Sequence, residues 1–87
     1  MKRKYRIDID MIENDEIVNN EVYDCEIVAP PKLVIALKNA QRAEISARAN
    51  IERYFSAKLH DLALEQCEKH DEYDTEYSVE EIDDEND

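Results

Sequence analysis

The chain opens on strict alternation. In "KYRIDIDMI", Tyr5, Ile7, Ile9 and Met11 take every second position, with Arg6, Asp8 and Asp10 between them. Successive side chains of a strand point to opposite faces, so the pattern predicts a strand with one buried face and one wet face. "EVYDCEIVA" alternates in the same way, setting Tyr23, Cys25 and Ile27 against Asp24 and Glu26. The stretch between them, "ENDEIVNN", reads as a polar connector. Asn19-Asn20 suits the left-handed conformations of a hairpin turn, and Ile17-Val18 could add a short strand ahead of it. The expectation is an antiparallel sheet of two or three strands, its outer face carrying Asp8, Asp10, Asp24 and Glu26.

Pro30-Pro31 ends this pattern, and a proline at the first helical position loses no hydrogen bond that it would otherwise make. From Lys32 to about His70 neither Gly nor Pro interrupts the chain, and Leu33, Leu37, Ala40, Ala47, Ile51, Phe55 and Leu62 recur at helical spacing. One unbroken helix of this span would be about 58 Å long at 1.5 Å per residue. The helix therefore breaks, near Asn39 or between Asn50 and Ser56, or its stripe packs on a partner. Heptads counted from Leu33 give a seam that is apolar or aromatic except at Glu44 and Lys58, which stand symmetrically about Ile51. Two copies crossing antiparallel at Ile51 would set each Glu44 against the other Lys58, so a homodimer is one expected use of the stripe.

The end of the chain, "HDEYDTEYSVEEIDDEND", places Tyr73, Tyr77, Val79 and Ile82 where they can touch the body. "SVEE", Ser78 to Glu81, matches a capping box and predicts a short last helix from about Val79 to Asp84. The fold class expected is α+β: an N-terminal antiparallel β-hairpin or three-stranded sheet, a long or broken α-helix, and an acidic C-terminal tail with a short helix. Residues 1–70 form one domain in this reading and residues 71–87 the tail.

Composition narrows the function. The 87 residues contain no Gly, which removes the loops that cradle phosphates or dinucleotides. The net charge of −12 repels nucleic acid and anionic membranes, so neither is expected as a direct ligand. Charge also comes in blocks. Residues 7–28 hold eight acids and no base, and residues 68–87 hold eleven acids and only Lys69 as a base. Two cysteines, Cys25 and Cys67, suit a reduced cytoplasmic setting, and acids rather than an apolar signal core follow the basic start.

No pattern points to catalysis, and no cofactor is expected. His60, Cys67 and His70 fall near one another on a helix, but without a fourth ligand at a recognisable spacing they read as polar surface rather than as a zinc site. Asp74, Glu76, Ser78 and Glu85 match calcium-loop positions, yet Val79 stands where the loop needs a glycine. Cys25 shares the inward strand face with Tyr23 and Ile27, where a thiol is ordinary core. Lys38, Arg42 and Arg53 lie on one helix flank and read as a solvated face that the acidic tail can neutralise.

The acids remain. Asp8, Asp10, Asp24 and Glu26 form one expected row and Glu80, Glu81, Asp83, Asp84 and Glu85 a second, and Asp74 and Glu76 of the acidic tail are expected to bind the partner with them. Such rows suit a basic, nucleic-acid-binding protein as partner. Alternate strand residues stand about 6.6 Å apart, and duplex DNA presents a charge about every 3.4 Å along each strand. In size, charge and its acidic ending the chain resembles the small acidic inhibitors that phages encode, among them DNA mimics that block restriction enzymes, polymerases or CRISPR effectors. The resemblance implies a non-enzymatic binding protein acting in a host cytoplasm. The alternative is a structural or adaptor protein that oligomerises through its helix, with the tail keeping it soluble.

Overall fold

The computed structural model describes residues 1–85, with side chains through Ile82. The order is β1 (Lys2–Glu13), β2 (Glu16–Val28), α1 (Pro31–Lys38), α2 (Glu44–Glu68) and β3 (Asp74–Glu85). The strands form one antiparallel sheet in the order β2-β1-β3. The chain is α+β, as expected, and the helices cover one face of the sheet.

The hairpin turns earlier than Asn19-Asn20. Asn14 and Asp15 take positive φ angles of 53° and 63°, and Glu13 pairs with Glu16 across the turn. This is a two-residue turn whose backbone twist matches the flanking strands, and Asn and Asp tolerate it best after Gly. Asn19 and Asn20 instead lie inside β2, opposite Met11 and Asp10. The register steps between Met11 and Ile12, leaving Val18 as the extra residue of a bulge.

The helix breaks at Asn39, one of the two expected places. Pro31 opens α1 without loss of a hydrogen bond, and Asn39 caps it, its N–H bonding the carbonyl of Ile35 at 3.0 Å. From Asn50 to Ser56 the chain stays helical within α2. The buried stripe of α2 is Ala47, Ile51, Phe55, Leu59 and Ala63, stepping by four. A row of step four winds slowly around a helix, which lets it follow the twist of the sheet beneath. It meets Tyr5, Ile7 and Ile9 of β1 and Ile27 of β2. Phe55, at 1% exposure, is the largest fully buried side chain of this core.

The segment expected as a tail with a short helix is β3, paired with β1 from Ile12↔Asp74 to Lys2↔Glu85. The capping box at Ser78 is unused. Thr75, Tyr77 and Val79 alternate with Glu76, Ser78 and Glu80, and the open edge of β1 offers every second backbone group a partner. Two side-chain contacts fasten β3 to the helix. Arg3 donates to both carboxylate oxygens of Glu52 at 2.9 and 2.6 Å, lies 4.4 Å over the Phe55 ring and stands 3.6 Å from Glu81. His60 Nδ1 and the Tyr77 hydroxyl meet at 2.8 Å.

The molecule is a rod of 54 × 19 × 16 Å with a radius of gyration of 16.2 Å. A compact chain of this length would have about 12 Å. The excess comes from strands of 12 and 13 residues that outrun the helix. Near its end α2 reaches the level of Ile9, where His60 meets Tyr77 and His70 meets Glu21, both register partners of Ile9. The hairpin tip projects beyond that level.

Candidate functional site

One face of the sheet carries the helices; the other carries none. Alternation and register place Lys2, Lys4, Arg6, Asp8 and Asp10 of β1 on the open face. Asn20, Val22, Asp24, Glu26 and Val28 of β2 lie beside them on one flank. Asp74, Glu76, Ser78 and Glu80 of β3 lie on the other. Seven of the expected acids, Asp8, Asp10, Asp24, Glu26, Asp74, Glu76 and Glu80, therefore share one surface. Their side chains come from three strands, which the sequence reading divided between a sheet face and an acidic tail.

The open face is not uniform. At one end β1 contributes bases between two acidic strands. Arg6 bonds both carboxylate oxygens of Asp24, at 2.9 and 3.2 Å, and holds that carboxyl below the usual carboxylate range. Lys2 stands 4.0 Å from Glu26, and Arg6 faces Glu80 across the β1–β3 register. The acids here are compensated within the chain.

Toward the hairpin tip the bases stop. Asp8 and Asp10 both accept from the single side-chain amide of Asn20, at 2.8 Å for Asp10. This amide bridges two carboxylates on one strand without neutralising either. Glu76 is the register partner of Asp10, and Asp74 that of Ile12. Glu13, Asp15 and Glu16 complete the tip, all exposed. These seven acids have no cationic partner among the described residues. Neighbouring strands lie about 4.8 Å apart and alternate residues about 6.6 Å apart, so the carboxylates form a lattice rather than a point charge.

The remaining expected residues fall elsewhere. Glu81 lies on the helix side beside Arg3. Asp83, Asp84 and Glu85 continue the β3 backbone opposite Lys4, Arg3 and Lys2, and their side chains lie outside those described. Ile51 is 2% exposed in the chain's own core, which covers the position on which the antiparallel helix crossing was to turn. Glu44 is bonded by Arg48 one turn on, and Lys58 lies 5.9 Å from the Tyr54 ring, so both charges reach solvent. Leu33 and Leu37 of the same heptad seam belong to α1, a separate helix.

His60, Cys67 and His70 are engaged separately. His60 meets Tyr77, Cys67 packs against the core, and His70 donates from Nε2 to Glu21 at 2.7 Å. Glu21 also accepts from the Tyr23 hydroxyl, and these two bonds, Tyr23 first, hold its carboxyl below the usual range. Burial pushes the Cys25 thiol up, away from nucleophilic thiolate. Lys38, Arg42 and Arg53 sit on α1, the connection and α2, not on one helix flank. No described helix is long and apolar enough to cross a membrane.

Sequence reading missed Glu13, Asp15 and Glu16 because it placed the turn five residues late. The signal was present in "ENDE", where Asn14-Asp15 stands between two alternating runs. Compared with protein-family models, curated proteins and solved structures, the chain shows no match.

Proposed function

We propose that the protein is a non-enzymatic acidic binder that occupies the basic, nucleic-acid-binding surface of another protein in the cytoplasm, as the small acidic phage inhibitors do. One observation carries the reading: four uncompensated carboxylates, Asp8, Asp10, Asp74 and Glu76, share the helix-free face at the hairpin end, and Glu13, Asp15 and Glu16 add three more at the tip itself. A surface of this kind gains little from burying apolar area. It draws its affinity from replacing nucleic acid in a field of Lys and Arg. The rod's 54 Å length corresponds to about 16 steps of the 3.4 Å duplex rise, long enough to lie along a groove built for a duplex.

The test uses charge-neutral changes. Wild type and a variant with Asp8→Asn, Asp10→Asn, Asp74→Asn and Glu76→Gln are immobilised and exposed to bacterial lysate at about 50 and 200 mM salt, a range over which phosphate-like contacts weaken steeply. The expected result is a basic nucleic-acid-binding protein held by wild type, released by salt or by added duplex DNA, and bound at least tenfold more weakly by the variant. Equal retention by wild type and variant, or retention indifferent to duplex DNA, refutes the reading.

A further inference from the structure

The two outer strands leave their edges unpaired, and they differ in kind. β3 has seven acids in twelve residues, so a copy of itself is repelled. β2 has four acids in thirteen, and three of them are engaged inside the chain: Glu21 by His70, Asp24 by Arg6 and Glu26 by Lys2. β2 also has no Lys, Arg, Pro or Gly, the residues that usually blunt an edge. Val22 and Val28 are 49% and 56% exposed on it.

We infer that β2 is a self-association edge, at which two copies pair antiparallel about Val22 to make one six-stranded sheet. The inference rests on register and stands independently of the proposed function. Ala29 donates its N–H to the Met1 carbonyl, so from Asn19 onward, past the bulge, the odd-numbered residues of β2 turn their backbone groups toward β1. The even-numbered residues, Val22 among them, turn theirs outward. A two-fold axis at Val22 makes Val22 bond its own copy through both N–H and C=O. It then sets Asn20 against Asp24, Glu21 against Tyr23 and Asn19 against Cys25, and no acid faces an acid. These positions avoid the bulge at Val18. An axis at Glu21 or Asp24 would oppose each carboxylate to itself, and an axis at Asn20 would set Glu16 against Asp24. Like charges directly opposite are destabilising. Each copy carries −12, so added salt strengthens this association by screening the repulsion between copies.

The test is sedimentation equilibrium at rising protein concentration, in low and in high salt. Val22 is exposed and off the core, and circular dichroism checks that each variant keeps the fold. Wild type should dimerise, more tightly in high salt. Val22→Lys and Val22→Glu should each weaken association at least tenfold, because the new charge meets itself on the axis. Mixing the two variants should restore a dimer containing one of each. A wild type that stays monomeric throughout overturns the inference. So does a Val22→Lys protein that associates as well as wild type, or better, since in the neighbouring register about Tyr23 position 22 would face Asp24.

Discussion

At the scale of single residues, Arg3 joins the most structure. Its guanidinium touches α2 through Glu52, the core through Phe55 and β3 through Glu81. The bond from Arg3 holds the Glu52 carboxyl below its usual range, which makes the contact dependent on pH. A carboxyl lowered by folding stabilises the fold above its unfolded value of about 4.3, and the effect is lost as pH falls through the lowered value. Glu52 is 62% exposed, so solvent screening limits its worth. Glu52→Gln should cost about 0.5–1 kcal/mol at pH 7. The gap from wild type in urea unfolding should narrow as the pH is lowered from 7 to below the unfolded value. A gap of the same size at both pH values would show that the residue acts through packing instead.

At the scale of elements, legibility followed from what each signal depends on. β1 and β2 were readable because alternation is a local pattern, and α1 because Pro31 and Asn39 mark its ends. β3 was misread because its alternation competes with a capping box, and what decides between them is distant. The unpaired edge of β1 lies some seventy residues earlier in the chain. The heptad seam failed for a related reason: it counts apolar positions but cannot see that the chain's own sheet covers Ile51. The open-face acids of β1 and β2 were legible one by one from alternation, whereas those of β3 were expected in a tail with a short helix. The division of the face into a compensated and an uncompensated end was not legible, since it depends on register between strands. If β3 is structural, ending the chain at His70 strips one edge of β1 and removes the β3 register partners of Tyr5 and Ile9. We expect the shortened protein to lose its cooperative thermal transition by circular dichroism. A dispensable tail would instead leave the melting curve unchanged.

For the whole molecule, the long axis matters together with the charge. Self-repulsion at −12 opposes the folded state, and a rod eases it by holding charges further apart than a sphere would. Raising sodium chloride from about 20 to 200 mM shortens the screening length roughly threefold. The melting temperature should therefore rise over that range, whereas binding to a basic partner should weaken. A melting temperature that falls with salt would mean that the internal ion pairs, Arg6–Asp24 among them, outweigh the repulsion.

The pairing of Lys2 with Glu85 also bears on time. β1 leaves the ribosome some seventy residues ahead of β3, its second neighbour. Contacts this far apart along the chain are slow to close, because the whole intervening loop must be ordered before they repay it. During synthesis the nascent chain holds a hairpin and helices against a sheet that lacks its third strand. One flank of β1 then stays open to other strands until β3 arrives. The acids of β3 thus reach the bases of β1 only after the hairpin has been made, and the three-stranded sheet is complete only at that step.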